Sequence, residues 1–421
     1  MTRTEILFLE AFGASLKHES VHWTEPLSEE EWTALFRLAA EHRVLPMIYE
    51  AVYACPAAQA DPAPGLLRQQ KPRMLQTVML QTQKTAEFLD LYSALRTAGL
   101  HPLVVKGLVC RALYPRPDLR LSGDEDLLIP PEEFPLCHEA LLAQGLIAAD
   151  ETLDISAAYE VPYGRPDSPI YIELHKYLFP PEAEAYGDLN RYFSAVHEHP
   201  AELSVDGITI LTLQPTDHLF YLICHAFKHF LHSGVGIRQA ADIALYANAY
   251  GAEVDWPLVR TCCREIRAEH FAAALLKIGE KYLTLDPAAA CLPPDLQADG
   301  IDEGPLLADI LAAGVYGSST LSRRHSSTMT LNAVKAEKRG KKGGPSFLRS
   351  VFPPLREMEA KYPYLREHPV RLPIAWASRI LHYRKETAAG GGGNNAAESL
   401  RIGSRRIALL RMYGVLEEQD R

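Results

Sequence analysis

Hydrophobic positions recur at helical spacing along the first hundred residues. Ser28 and Glu31 have the spacing of a capping box, which is typical of a helix N-terminus. Four apolar residues follow at helical intervals: Trp32, Leu35, Phe36 and Ala39. Further along, the segment after Pro72 has apolar positions compatible with one long helix that stops at Gly99. The pattern predicts an N-terminal helical region.

The pattern changes after residue 101, where short apolar runs alternate with turn residues. Strands are predicted at Leu103–Val105, Asp124–Ile129, Ile155–Val161 and Ile170–His175. A short helix, Leu108–Leu113, separates the first two strands, and another helix follows two consecutive prolines after the second strand. These elements predict an α/β (α+β) fold with a small mixed sheet between N-terminal and C-terminal helical regions.

Helical periodicity returns after Pro215, where segments starting at Thr216 and Ile237 predict an αα-hairpin. Residues 316–346 are polar, basic and rich in Gly and Ser, as linkers commonly are. We therefore expect five regions: an N-terminal helical region (1–98), an α/β domain (99–214), a helical domain (215–315), a basic linker or mobile loop (316–346) and a C-terminal helical region (347–421).

Composition is that of an ordinary globular protein. Hydrophobic residues make up 47% of the 421 residues, and no apolar run is long enough to span a bilayer. The N-terminus lacks the features of a signal peptide, so we expect a cytoplasmic protein with no membrane partner. The seven cysteines form no C-x-x-C pair, which disfavours a disulfide framework or a structural zinc site.

Charge is distributed unevenly along the chain. The net charge is −10, yet residues 321–421 contain 20 basic and 9 acidic residues, a local net charge of +11. Such a region could bind an acidic partner such as RNA, or it could pack on the acidic remainder of the same chain. The sequence leaves both interpretations open.

The most informative chemistry lies in the segment LSGDEDLLI. Adjacent carboxylates resist burial without a compensating cation or hydrogen bonds. In a strand, Asp124 and Asp126 point to one face, about 7 Å apart, while Glu125 points to the other. Two such carboxylates can bind a divalent cation, and Glu173, an acid within the apolar run IYIELH, is the candidate third ligand. Oxygen ligands favour Mg²⁺ or Mn²⁺ over zinc.

A phosphate-binding turn is predicted just upstream. Lys106 and Gly107 lie between a strand and a helix, where glycine permits close approach of the backbone and lysine adds a positive charge. Arg120 and Ser122 precede the acids and could contact phosphate oxygens. Each of these features alone is common in plain turns. Their order along the chain is more informative than any single one.

In this order, the segments VVKGLVCRALYP, LRLSGDEDLLI and IELH resemble the nucleotidyltransferase superfamily of the DNA polymerase β type. Within it, they are most similar to the bacterial uncharacterised nucleotidyltransferase family, and the Lys-Gly and Arg-x-Ser-x-Asp-x-Asp parts are similar to AbiEii-class toxins. The resemblance covers roughly residues 100–250.

The resemblance implies a role for each matching residue. Asp124, Asp126 and Glu173 match the catalytic, metal-binding carboxylates. The nucleotide-binding positions match Lys106, Gly107, Arg120 and Ser122. Two departures from the family pattern are Leu108, in place of the second small residue of the turn, and Glu125, in place of an apolar residue.

The predicted function is transfer of a nucleoside monophosphate from a nucleoside triphosphate to an acceptor, with Mg²⁺ or Mn²⁺ as cofactor and release of pyrophosphate. The acceptor could be a small molecule, a protein or RNA. Two alternatives stay open: a catalytically impaired nucleotide-binding or interaction module of the same fold, for which Leu108 and Glu125 would be marks of decay, and a toxin-type enzyme that modifies tRNA.

A stripe of histidines follows in the predicted αα-hairpin. His218, His225, His229 and His232 fall along one helical face. A packed polar face is the more common explanation, because the motif HAFKH lacks the glutamate of a zinc protease. If they are functional, we expect His225 and His229, together with His175, to face the substrate. On the next helix, Arg238 and Asp242 are interpreted as an ion pair on the helix surface.

Overall fold

The computed structural model describes residues 1–150, 153–181, 183, 185–296, 300–315, 321–338, 352, 354–359, 362–379 and 396–417. The main hydrophobic core of these residues extends from Leu7 to Leu416, and Met358, Leu365 and Ala375 form a second, small cluster. A helix both long and apolar enough to cross a bilayer is absent from the part of the chain that is described.

Four helices form the N-terminal region: α1 (Arg3–Leu16), α2 (Glu29–Glu41), α3 (Leu45–Tyr53) and α4 (Ala63–Thr97). The predicted capping box is present, because the Ser28 hydroxyl accepts from the Glu31 amide and the Glu31 carboxylate accepts from the Ser28 amide. The long helix α4 begins before Pro72 and passes through it. Gly99, with φ of +81°, lies just after its end.

A seven-stranded mixed sheet lies at the centre and confirms the predicted fold class. Its strands are β1 (Leu103–Val105), β2 (Glu125–Leu128), β3 (Ile147–Ala148), β4 (Glu160–Gly164), β5 (Tyr171–His175), β6 (Ala201–Val205) and β7 (Ile208–Thr212). They are arranged in the order β3-β4-β5-β2-β1-β7-β6. Two short helices accompany the sheet: α5 (Gly107–Arg111) and α6 (Phe134–Ala143).

The register of the three central strands determines which side chains meet. Strand β2 runs antiparallel to β1, with Asp126 opposite Val105. On its other side β2 runs parallel to β5, with Asp126 opposite Glu173. Side chains at paired positions of adjacent strands share a face of the sheet. Asp126 and Glu173 therefore lie side by side, one residue from the turn that follows β1.

Three parts of the sheet differ from the sequence-based prediction, and one of them is the two-residue strand β3, which was not predicted. The strand predicted at 155–161 begins only at Glu160, because the preceding residues form a turn in which the amides of Ala157 and Ala158 donate to the Asp154 carbonyl. Strands β6 and β7 were not predicted, and they form a hairpin through Asp206 and Gly207, both with positive φ.

Most of the described residues after β7 lie in helices: α7 (Pro215–His232), α8 (Ile237–Tyr250), α9 (Trp256–Glu265), α10 (Glu269–Tyr282), α11 (Gly304–Ala313), α12 (Leu321–Lys338), α13 (Leu355–Met358) and α14 (Ala396–Met412). The predicted αα-hairpin is present as α7 and α8, which pack against each other.

The linker prediction is wrong for residues 321–338, which form α12. This helix packs against α14, with Met329 and Val334 buried. Arg323 pairs with the buried Asp309 of α11. Tertiary contacts thus stabilise a helix whose Ser, Thr and Arg content resembles that of a loop. The remainder of the predicted linker lies outside the described residues.

Candidate functional site

The site is centred on Asp126, a buried carboxylate in the middle of the sheet. Its Oδ1 lies 3.0 Å from Lys106 Nζ and 3.1 Å from His175 Nε2, and its Oδ2 lies 2.9 Å from the same lysine nitrogen. The side chain of Asp126 is only 1% exposed. A buried carboxylate requires such cationic partners to remain ionised. Burial raises the pKa of Asp126, but the charges of Lys106 and His175 outweigh burial and hold it well below its usual range.

His175 links the two acids that the sheet register brings together. Its Nε2 lies 3.1 Å from Asp126 Oδ1 and 3.7 Å from Glu173 Oε2, and its Nδ1 lies 3.5 Å from Glu160 Oε2. Burial lowers the pKa of His175, but hydrogen bonds to Asp126 and Glu173 and the nearby negative charges raise it to about 9. His175 is thus an imidazolium at neutral pH in the absence of another cation.

The turn after β1 is held in a rare backbone conformation. Lys106 has φ of +55° and ψ of −103°, a region that L-residues seldom adopt. Its amide donates to Nε2 of the fully buried His218, 3.1 Å away. The Nδ1 of that histidine lies 3.2 Å from the Thr212 hydroxyl, which donates to the Val104 carbonyl. His218 therefore connects α7 to the turn and helps to stabilise its strained geometry.

Gly107 is required by packing at this turn. A Cβ at this position would overlap the carboxylate of Glu125 and lie 3.6 Å from the Asp124 carbonyl oxygen. Only glycine therefore fits against the start of β2. The sequence-based expectation that Gly107 permits close approach of phosphate remains a prediction, and this contact gives glycine a second reason to occupy the position.

Asp124 lies at the edge of the acidic cluster. Its Oδ2 is 3.7 Å from Lys106 Nζ, and its side chain is 24% exposed, so it is more accessible than Asp126. Asp124 also lines a cavity, here called the central cavity, together with Lys106, Gly107, Arg120, Ser122 and His225. The structure thus places Asp124 and Asp126 around the same lysine nitrogen.

Glu125 lies on the opposite side of the strand and is fully buried. It pairs with the buried guanidinium of Arg111 from α5 and accepts a hydrogen bond of 2.8 Å from the Ser122 hydroxyl. Arg111 also donates to that hydroxyl at 2.7 Å. The predicted separation of Glu125 from the two aspartates is confirmed. Ser122 lines the central cavity, but its hydroxyl is engaged with Glu125 and Arg111.

Arg120 is held by a carboxylate of the helical hairpin. Its Nε and Nη2 donate to Asp242 at 2.8 and 2.6 Å, and its Nη1 donates to the Gly107 carbonyl at 3.2 Å. Tyr114 also donates to Asp242, at 2.8 Å. The interpretation of Arg238 and Asp242 as a surface ion pair is wrong. Both side chains are buried, and Arg238 donates a hydrogen bond to the Leu121 carbonyl.

Two histidines of α7, His225 and His229, lie near the side chain of Lys106 and contact each other. His225 Nε2 is 3.5 Å from Lys106 Nζ and 3.3 Å from His229 Nε2, while its Nδ1 lies 3.0 Å from the Gln239 amide nitrogen. Burial lowers the pKa of both His225 and His229 well below the usual range, and the Lys106 charge adds to this effect. His225 therefore lies between Lys106 and His229, and it also lines the central cavity.

Several residues of the site were not identified from the sequence. Arg111 was not predicted, although an arginine within the apolar run LVCRAL is a signal that a buried partner exists. From α4, Gln81 accepts from the Ser122 amide at 2.8 Å, and Lys84 donates to the Ser122 carbonyl at 3.4 Å. These two lie about 40 positions before Ser122 in the sequence, with no local pattern to connect them.

The donor set fits a divalent cation. Among the described residues, ligand atoms of Asp126, Glu173 and His175 all lie within 4.8 Å of one another. Asp126 Oδ2 is buried and makes no hydrogen bond, although Lys106 Nζ is near it. Two carboxylates side by side, with an imidazole nitrogen next to them, suit a divalent cation such as Mg²⁺ or Mn²⁺. His175 would add a nitrogen donor that the prediction of an oxygen-only site did not include.

Comparison with known proteins identifies the family. Residues 28–284, more than half of the chain, match the model of a family described as uncharacterised nucleotidyltransferase. No curated protein matches the chain. The match spans the central sheet, both helices of the α7/α8 hairpin and every residue of the site described above. The similarity to AbiEii-class toxins rests on the sequence motif alone. The chain belongs to the family of uncharacterised nucleotidyltransferases.

Proposed function

We propose that this protein transfers a nucleoside monophosphate from a nucleoside triphosphate to an acceptor, with Mg²⁺ or Mn²⁺ as cofactor and release of pyrophosphate. The observation that carries the proposal is the pairing of Asp126 with Glu173 in adjacent strands, beside the Lys106-Gly107 turn. The family match supports nucleotidyl transfer as the reaction class.

Asp124, Asp126 and Glu173 would hold the metal, and His175 is close enough to contribute. Bound to these groups, Mg²⁺ or Mn²⁺ would supply positive charge that stabilises the phosphate oxygens and would acidify an attacking hydroxyl. Lys106 contributes a second positive charge, since its Nζ lies within 3.7 Å of both aspartates. Concentrated positive charge at the turn is what the transfer of a negatively charged phosphoryl group requires.

Glu173 is the best placed group to accept the proton of the acceptor. Its side chain is 27% exposed, whereas that of Asp126 is 1% exposed and already engaged with Lys106 and His175. His175, whose Nε2 lies 3.7 Å from Glu173 Oε2, would orient this carboxylate. A general base must be accessible to its substrate, and Glu173 satisfies this condition better than Asp126 does.

Lys106 and Gly107 would bind the phosphates of the nucleotide at the turn. Arg120 would act mainly through Gly107, whose carbonyl it holds, because Asp242 occupies two of its donors. Ser122, which lines the central cavity, would contact the phosphates there. His225 would help to place the lysine ammonium, 3.5 Å from its Nε2. In these roles the turn binds the triphosphate, and the identity of the nucleobase stays open.

The test is incubation of the full chain with each α-labelled nucleoside triphosphate, Mg²⁺ or Mn²⁺, and a cell extract as the source of acceptor. We expect labelled product and pyrophosphate. Asp124→Asn and Asp126→Asn should each lower the rate about 100-fold or more, because they remove charge complementary to the metal. Asp90→Asn, an exposed position on α4, is the matched control and should react at the rate of the wild-type protein.

Two results would count against the proposal. If Asp124→Asn and Asp126→Asn transferred label as fast as the wild-type protein, the acids would not be catalytic. If the wild-type protein bound nucleotide tightly but released no pyrophosphate with any extract, the non-catalytic nucleotide-binding module would be the better interpretation.

A further inference from the structure

A second cavity, here called the basic cavity, lies between the N-terminal helices and the 121–123 segment. Its volume is about 290 Å³. Three cationic side chains line it, Arg43, Arg73 and Lys84, together with the polar groups of Thr77 and Gln81. Among the described residues that line this cavity, none is acidic. The lining therefore carries a net positive charge of three.

Lys84 is a buried cation with little compensation. The residue is 3% exposed, and its nitrogen donates a long hydrogen bond of 3.4 Å to the Ser122 carbonyl. Within the described part of the chain, no carboxylate lies within 4.0 Å of its nitrogen. Burial lowers the pKa of Lys84, although Glu125 and Asp124 act in the opposite direction from a greater distance. An ammonium group in such a position is stabilised by a bound anion.

Arg43 and Arg73 place two further cations at the same cavity. Both side chains are exposed, and neither forms an ion pair with any described residue. A guanidinium nitrogen of Arg43 lies 3.6 Å from the position that a Cβ on Gly123 would occupy, next to Asp124 in the sequence. Two guanidinium groups and an ammonium group around one cavity provide the fork and point-charge donors that bind an oxyanion.

The basic cavity adjoins the central cavity. Ser122 lines both of them, and it lies two residues before Asp124. The groups assigned to the triphosphate, Lys106 and Gly107, line only the central cavity. An anionic group in the basic cavity would therefore occupy a position that is separate from the carboxylates and adjoins them at Ser122.

We propose that the basic cavity binds the anionic group, a phosphate or a carboxylate, of the acceptor that receives the nucleotide. The assignment of this anion to the acceptor rests on the proposed nucleotidyl transfer. The presence of an anion site rests only on Arg43, Arg73 and Lys84. An acceptor bound in this way would extend its attacking hydroxyl past Ser122 towards Asp124 and Glu173. The acceptor class is then an anionic molecule and not a cationic one.

The experiment measures binding of inorganic phosphate and, separately, acetate to the full chain by titration calorimetry. One set of titrations contains Mg²⁺ and a saturating non-hydrolysable nucleoside triphosphate, and another contains neither. We expect the wild-type protein to bind phosphate or acetate in both sets, with affinities within about threefold of each other. The preferred anion indicates whether the acceptor carries a phosphate or a carboxylate.

The double variant R43Q/R73Q should weaken anion binding about tenfold or more, since it removes two guanidinium groups that form charge-assisted hydrogen bonds with an oxyanion. The control R37Q/R68Q removes the same charge from exposed positions on α2 and α4 and should bind as the wild-type protein does. Lys84→Met tests the buried cation separately. Phosphate should raise the melting temperature of the wild-type protein and not that of Lys84→Met.

The proposal is overturned if R43Q/R73Q binds phosphate and acetate as tightly as R37Q/R68Q does. It is also overturned if the nucleotide displaces the anion, because the basic cavity would then be part of the triphosphate site. Asp126→Asn distinguishes this inference from the proposed function. This variant should lose nucleotide transfer while it keeps anion binding. Absence of transfer in the wild-type protein would instead contradict the proposed function and the assignment to an acceptor, but not the anion site.

Discussion

At the scale of single residues, the pair formed by Arg111 and Glu125 explains why an acid occupies the position between two aspartates. Glu125 is completely buried, and the guanidinium of Arg111, only 1% exposed, lies against it. The charge is therefore compensated on the far side of the strand from Asp126. The Glu125 carboxylate also packs against Gly107, so the ion pair of Arg111 and Glu125 stabilises the turn after β1. In this position the glutamate is a structural element of the site and does not by itself indicate a decayed enzyme.

Removal of one partner of this pair should be costly. Arg111→Met should lower the free energy of unfolding by about 3–5 kcal/mol, because Glu125 would stay buried without a counter-charge. The double change R111M/E125L should recover most of this loss, since an apolar pair needs no compensation. Urea unfolding followed by circular dichroism measures both variants.

The matched control for this prediction is the exposed ion pair of Arg116 with Glu50. The Arg116 side chain is 53% exposed, so Arg116→Met should cost less than about 1 kcal/mol. A double variant R111M/E125L as unstable as R111M alone would show that packing around Arg111, and not its charge, stabilises the turn.

At the scale of secondary-structure elements, the α7/α8 hairpin holds the turn after β1 at two points. His218 of α7 accepts the Lys106 amide hydrogen, and Asp242 of α8 binds the guanidinium of Arg120, which in turn holds Gly107. The hairpin thus stabilises the conformation of the turn through His218 and Asp242. This arrangement assigns His218 and Asp242 to positioning and not to chemistry.

Asp242→Asn tests this role of the hairpin. The substitution keeps the shape of the side chain but leaves the buried Arg120 without a counter-charge, so we expect a loss of about 2–4 kcal/mol in unfolding free energy. Nucleotide affinity should fall about tenfold, because Gly107 loses its anchor, while Mn²⁺ binding followed by electron paramagnetic resonance should be unchanged. If Mn²⁺ and nucleotide binding weakened together, the effect would be a general loss of structure and not a loss of positioning.

The elements differ in how far the sequence predicts them. Strands β1 and β2 are predicted because their apolar runs are buried on both faces, and β5 is predicted from the buried residues Ile172 and Leu174. The pairing of Asp126 with Glu173 depends on the parallel register of β2 and β5. The β6/β7 hairpin was missed, although Asp206 and Gly207 form a recognisable turn signal, because β6 has no buried residue. Contacts between distant segments, such as that of Lys84 with Ser122, have no signal in a single sequence.

At the scale of the whole molecule, buried histidines connect regions that are distant in sequence. His42, at the end of α2, lies with its Nε2 3.2 Å from the Leu311 carbonyl of α11. Burial lowers the pKa of His42 to about 4, that of His232 to about 4 and that of His218 to about 3. Each of these side chains is therefore neutral in the folded protein at pH values where it would already be protonated in the unfolded chain.

This difference predicts that the protein loses stability in mild acid. Below pH 6.5 the unfolded chain binds a proton at His42, whereas the folded protein does not until about pH 4, so stability is complete above pH 6.5 and falls as the pH approaches 4. For His42 alone, the unfolding free energy should fall by about 3 kcal/mol between pH 6.5 and pH 4. His42→Gln can still donate to the Leu311 carbonyl but cannot titrate. The unfolding free energy of this variant, measured in urea from pH 7 to pH 4.5, should therefore depend less steeply on pH than that of the wild-type protein. The difference in slope should correspond to about one proton fewer bound on unfolding. His101→Gln, at an exposed position, should leave the slope of the wild-type protein unchanged. An equal slope in His42→Gln and the wild-type protein would show that His42 is already protonated in the fold, and the contact between the N-terminal helices and α11 would then have to accommodate a buried charge.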